Sequence, residues 1–171
     1  MMRSKRSAAV LMATVYLSTP ALLHAQRCRG CAAAEDTTPS MHVVPAVGIH
    51  AGTPQKLSAA VGVGLGVEWQ RNGHDYSRNV ALFAEPGLSA GRASLAYVDN
   101  GRFGSGFSVA ATVLRTWKDP WTVKSNMTYA GADILLWPIV FMGPRIGVFR
   151  RIAGDATSRR WFVSLDLGVG L

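Results

Sequence analysis

Cysteine is nearly absent: the chain has only Cys28 and Cys31. A disulfide framework bracing a small exported domain is thereby excluded. With no second pair and no adjoining histidine, Cys28-Arg29-Gly30-Cys31 supplies neither a tetrahedral zinc site nor a haem attachment. A redox centre would place such a pair at a helix start within a βαβ unit, whereas these residues lie in a small, polar stretch. Ala25-Gln26-Arg27 before Cys28 is not a lipobox either. Cys28 and Cys31 are therefore read as a candidate local disulfide or an idle pair.

Long apolar runs are also missing beyond the beginning of the chain. The longest, Ile134 to Met142, is interrupted by Pro138 and falls well short of the roughly 20 residues of a membrane helix. Acids are few, 10 against 18 lysines and arginines, but the excess cations are scattered. A nucleic-acid binder concentrates them on one element beside aromatic platforms, so no nucleic-acid partner is expected.

The start of the chain reads as an export signal. Arg3, Lys5 and Arg6 precede an apolar stretch from Ala8 to Leu17, which Ser18, Thr19 and Pro20 end. This basic and apolar order is that of a secretory signal peptide, too short to remain as a membrane anchor. Cleavage after Ala25, favoured over the small-residue site Ala32-Ala33-Ala34 that lies far from the apolar core, assigns residues 1–25 to the signal and leaves 15 basic against 10 acidic residues. Residues 26–40, small and polar without a period, read as a flexible leader.

From Met41 the pattern has period two. Leu57, Ala59, Val61, Val63, Leu65, Val67 and Trp69 alternate with small residues and Glu68, which is the signature of a strand with two unlike faces. Trp161 to Leu171 repeats it, ending the chain inside a strand. Weaker segments lie at about 42–51, 79–88, 91–98, 105–117, 127–137 and 143–152, separated by turn sequences such as Arg71-Asn72-Gly73 and Asp99-Asn100-Gly101. The fold class expected for residues 41–171 is all-β: an antiparallel up-and-down meander closed as an eight-stranded barrel.

One face of these strands is Gly, Ala and Ser with occasional charges, where a soluble sandwich would show Lys, Glu and Thr. Small residues suit the interior of an eight-stranded barrel, which is only wide enough for side chains. The apolar face would then meet lipid, with aromatic residues at the strand ends. Trp69, Tyr97, Trp117, Trp137 and Trp161 are the expected girdle. Alternation puts Glu68, Glu85, Asp133 and Asp166 on the small-residue face with Arg92 and Arg145 beside them. Isolated ions there would be costly, so these six residues are expected to form a polar network filling the lumen.

Other motifs carry less chemistry. Gly62, Gly64 and Gly66 have GxGxG spacing inside a strand period, so they make room for neighbours and do not cradle phosphate. His42 and His50 share a face eight residues apart, too far to hold one metal ion. His74-Asp75-Tyr76-Ser77 has the composition of a triad but reads as a solvated turn, and Asn126-Met127-Thr128 is a chance glycosylation sequon. Neither a cofactor nor a metal is expected.

With its signal peptide, alternating segments and terminal strand Trp161–Leu171, the chain resembles the small eight-stranded outer-membrane barrels of Gram-negative bacteria. The resemblance spans about residues 41–171. It implies membrane lipid as a partner, recognition of the C-terminal strand by the barrel-assembly machinery, and placement in the outer membrane. Two departures stand out: the family's terminal aromatic is replaced by Leu171, and the first outer loops, near 52–56 and 89–91, are short. Small outer-membrane lipid A deacylases, barrels of similar size, place His and Ser two apart on a strand, and no His-x-Ser occurs here. The function expected is non-enzymatic and structural, adhesive or stress-related, with a closed lumen. The alternatives are a soluble exported lipocalin-like barrel around a small apolar ligand, in the periplasm or secreted, and a barrel-embedded lipid-modifying enzyme.

Overall fold

An extended backbone sends successive side chains to opposite faces, and here that alternation runs through eight strands. The computed structural model describes residues 38–101, 104–138 and 142–170. Its strands are β1 (Ser40–Gly52), β2 (Lys56–Arg71), β3 (His74–Pro86), β4 (Ala90–Asn100), β5 (Gly106–Thr116), β6 (Thr128–Trp137), β7 (Met142–Ala153) and β8 (Trp161–Gly170). The signal segment, Cys28 and Cys31 and the terminal Leu171 lie outside the described residues.

Each strand pairs antiparallel with the next, and β8 pairs back with β1, so the meander closes into a ring of hydrogen-bonded strands. From Val47, register partners lead through Val61, Ala84, Ala93, Val113, Ala130 and Arg150 to Trp161. The residue opposite neighbouring Gly48, however, is Gly170. The ring thus closes with a stagger of about ten residues, the geometric condition for tilted strands around a narrow interior. The stagger also shortens the closing seam, where Gly48–Gly52 meet Asp166–Gly170.

The end at which β1 finishes, here the upper end, carries the connections 53–55, 87–89, 117–127 and 154–160; the lower end carries 72–73, 101–105 and 138–141. Two segments differ most from those read in the sequence. Ser40, assigned to the leader, already belongs to β1 and pairs with Glu68. The segment His74–Ser77, expected to be a solvated turn, is the start of β3 and pairs with β2 and, at Ser77, with β4. The reason is local: Asn72 and Gly73 both have positive φ, 51° and 72°, as in a two-residue hairpin turn whose twist lets the next strand begin at once.

The interior is layered. At the upper end Ala90, Leu114, Met127, Tyr129, Phe149 and Phe162 form one apolar cluster, with the Phe149 and Phe162 rings stacked at 5.2 Å and Tyr129 edge-on to Phe162 at 4.7 Å. Lower down, Ala96, Val98, Ala110 and Trp137 form a second cluster, with Phe83 and Leu135 against it. Inward residues lying between the clusters along each strand are polar: Arg92 on β4, Thr112 on β5 and Asp133 on β6. Glycine makes room for the rings, since a Cβ on Gly62 would stand 2.5 Å from the Phe83 ring. This spacing explains the GxGxG run without any phosphate.

Candidate functional site

The middle layer is the part of the interior that carries chemistry. Strand register places its charges before any side chain is considered: Glu85 lies opposite Arg92 across β3 and β4, and Arg145 opposite Asp166 across β7 and β8. All four are buried, as is Asp133. Arg145 grips Glu85 bidentately, Nη1 to Oε2 at 2.6 Å and Nη2 to Oε1 at 2.7 Å, and its Nε donates to Asp166 Oδ2 at 3.2 Å. Arg92 donates through Nη2 to the same Asp166 oxygen at 2.5 Å and through Nε to Gln55 Oε1 at 2.6 Å. Planar guanidinium forks suit this bridging, because one Arg can satisfy several fixed acceptors.

Neutral donors complete the layer. Ser58 Oγ donates to Glu85 Oε1 at 2.6 Å, Thr112 Oγ1 to Asp133 Oδ2 at 2.7 Å, and Gln55 Nε2 to the Glu85 carbonyl at 3.1 Å. The Arg92 guanidinium also lies 5.9 Å from the centre of the Phe149 ring, beneath the upper apolar cluster. Both Glu85 carboxylate oxygens are held by donors, which fixes this acid within the network. A buried polar network of this kind rigidifies an interior.

Of the six residues expected in a polar network, the structure brings together Glu85, Arg92, Asp133, Arg145 and Asp166 and leaves Glu68 apart. Glu68 does share their strand face, but it sits near the lower end of β2, 53% exposed and 3.5 Å from His42. Its alternation gave the face correctly, while its height along the ring puts it at the open rim. The sequence reading did not include Gln55, Ser58, Thr112 or His50. His50 is buried with Nδ1 3.6 Å from Glu85 Oε1, and its ring lies across Gly168, where a Cβ would come within 1.8 Å of Cδ2. The alternation that placed Asp133 inside would also have placed His50 and Thr112 there. Gln55 lies in a turn and carried no periodic signal.

A consequence follows for Gly168. Replacing it with alanine pushes a methyl group into the His50 ring, so His50 must leave its place beside Glu85. The expected loss is about 1–3 kcal/mol, the usual cost of overpacking, measurable as a lower unfolding midpoint in urea.

The aromatic residues occupy the ends of the ring. Trp69 stacks on Tyr76 at 5.8 Å with the Arg78 guanidinium 5.3 Å from its ring, and Tyr97 neighbours Phe107 at 6.3 Å; these mark the lower part of the outer surface. Trp117 and Trp161 mark the upper part, together with Trp121, an exposed loop residue without strand periodicity. Trp137 departs from the expected girdle. It is 7% exposed and packs in the lower interior cluster, because it lies four residues from inward-facing Asp133 and so on the same face.

Beneath the charged layer is a cavity of about 110 Å³ lined by alanines such as Ala46, Ala60 and Ala81, by the larger Phe83, Leu135 and Trp137, and on its upper side by Glu85, Asp133 and Arg145. Among the described residues no cluster of three or more His, Cys, Asp or Glu could hold a metal ion. His74, Asp75 and Ser77 line one recess at the lower end, where Asp75 accepts from Gln70 and Ser77 from Asn100. Compared with models of protein families, with curated proteins and with solved structures, the chain matches none.

Proposed function

We propose that this chain is a small, non-enzymatic outer-membrane β-barrel with a closed, ion-paired lumen and a structural, adhesive or stress-related role. One observation carries the reading: the outer face of the ring is an apolar belt. Val61, Val63 and Leu65 on β2 are 56%, 54% and 63% exposed, and Val109, Val113, Ile146, Val148, Val163 and Leu165 continue the surface across β5, β7 and β8. Among the described residues no charged side chain interrupts the outward positions between Arg115 and Arg150 above and Arg78 and Asp99 below. In water a belt of this extent would drive association; in a bilayer it is the surface lipid requires.

Strand length agrees. β4 to β8 have 10 to 12 residues each, against the roughly 9–11 tilted residues that cross a hydrocarbon core. Aromatic residues at both borders fit the headgroup zones, where amphipathic rings settle. The lipocalin-like alternative needs Val61, Val63 and Leu65 to line a ligand cavity, and they point the other way. The cavity present is small, about 110 Å³.

Cell fractionation tests the placement, the expected result being recovery in the detergent-extracted outer membrane; recovery in the soluble periplasm would reject it. The closed lumen has its own check. Tyr129, Phe149 and Phe162 fill the upper interior and the charged layer fills the middle, so planar bilayers containing the protein should show no stable large conductance. Steady large channels would contradict the packed interior. Assembly would proceed through the barrel-assembly machinery reading the alternating strand β8, Trp161–Gly170.

A further inference from the structure

The two ends of the barrel differ in charge. At the lower end the described cations Arg71 and Arg78 are accompanied by the acids Glu68, Asp75 and Asp99, and Arg78 is paired with Asp99 at 2.7 Å. At the upper end two lysines have acidic partners, Lys56 with Asp119 at 3.2 Å and Lys124 with Asp155 at 3.4 Å. Asp155 also accepts from the hydroxyl and amide of Thr157, which hold its carboxyl down to about 2. Six further cations there, Arg115, Lys118, Arg150, Arg151, Arg159 and Arg160, make no ion pair among the described residues.

Their placement is one-sided. Arg115 lies two residues beyond Val113 on β5 and Arg150 two beyond Val148 on β7, so both face outward at the upper border of the apolar belt. Arg115 Nη1 donates to Thr128 Oγ1 on β6 at 2.7 Å. The Arg150 guanidinium stands 5.8 Å from the ring centre of Trp161, its register partner on β8. Arg159 and Arg160 immediately precede Trp161, and the Arg160 carbonyl accepts from Arg151 N at 2.8 Å. The turns over the other half of the upper end, residues 53–55 and 87–89, carry no charge.

A crescent of guanidiniums flanked by indole and bordering an apolar belt has the composition of a phosphate-level lipid contact. Arginine forks match phosphate oxygens, and although Arg151 is held by the Asp155 and Ser158 carbonyls, like charges gathered on one border repel until an anion lies among them. We propose that the upper rim of β5–β8 is a docking surface for the phosphate of an anionic lipid headgroup. This inference rests on the membrane reading above, since only a belt embedded in a bilayer brings headgroups to Arg115 and Arg150.

The test refolds the full chain into phosphatidylcholine vesicles with and without phosphatidylglycerol and compares spin-labelled forms of the two lipids for motional restriction at the protein surface. Heat-modifiable migration in pure phosphatidylcholine reports insertion by itself, and failure there removes the membrane reading and the docking surface together. Given insertion, the expected preference for phosphatidylglycerol is about fivefold for each engaged cation, weakening at high salt. It should fall toward unity in Arg115→Gln/Arg150→Gln and, outside the strands, decline in Arg159→Gln/Arg160→Gln, whereas Arg71→Gln at the opposite rim should retain it. Insertion with no lipid preference, or a preference that survives both double variants in folded protein, overturns the docking surface and leaves the membrane reading standing.

Discussion

Replacing Arg145 with methionine should cost about 3–5 kcal/mol of stability, the range seen when one partner of a buried ion pair is removed. The size of the effect comes from what is left behind. Arg145 supplies both hydrogen bonds of the bidentate contact to Glu85 and one of the two guanidinium contacts to Asp166. Without it, Glu85 retains Ser58 and Asp166 retains Arg92, and an interior too narrow for bulk water holds three carboxylates against one guanidinium. Urea unfolding followed by tryptophan fluorescence would show the loss as a lowered midpoint. Glu68→Gln is the matching control: its carboxylate is exposed at the rim, and a change within about 0.5 kcal/mol is expected, as for ordinary surface sites. Replacing Glu85 and Arg145 together by apolar residues should recover much of the loss, because then neither charge is stranded.

The second large effect is expected on the outside. Leu165 is 59% exposed near the middle of the apolar belt, opposite Ile146 in the register. In water an exposed Leu→Arg substitution is nearly neutral. In a bilayer the guanidinium enters hydrocarbon, and Leu165→Arg should cost about 2–4 kcal/mol. Unfolding titrations in phosphatidylcholine vesicles measure this directly. The same substitution at Trp161, close to the headgroup level, should cost much less, and this depth dependence separates membrane burial from a general intolerance of arginine.

Much of this architecture was legible because a closed ring with unlike inner and outer surfaces imposes strict alternation on every strand. Alternation identifies faces. It placed Glu85, Asp133 and Asp166 inside, and applied from Asp133 it would also have turned Trp137 inward, where position at a strand end pointed to the girdle. Alternation does not give height, and Glu68 shows the consequence: the correct face at the rim, away from the charged layer. Height depends on register and stagger, set by long-range pairing such as Gly48 with Gly170. Gln55 was not legible for a different reason, since its place in the network depends on a turn folding over the upper end. The basic crescent became visible only once register had set Arg150 beside Trp161 and Arg115 beside Thr128.

We propose that the apolar belt faces lipid around a closed ring of strands. Gel migration of the membrane-extracted protein, with and without boiling in detergent, tests it most directly. A barrel whose strands are closed by hydrogen bonds and whose belt is satisfied by detergent should stay folded unboiled and run apart from the boiled chain. Identical migration in both lanes, for protein recovered without detergent, would contradict the account.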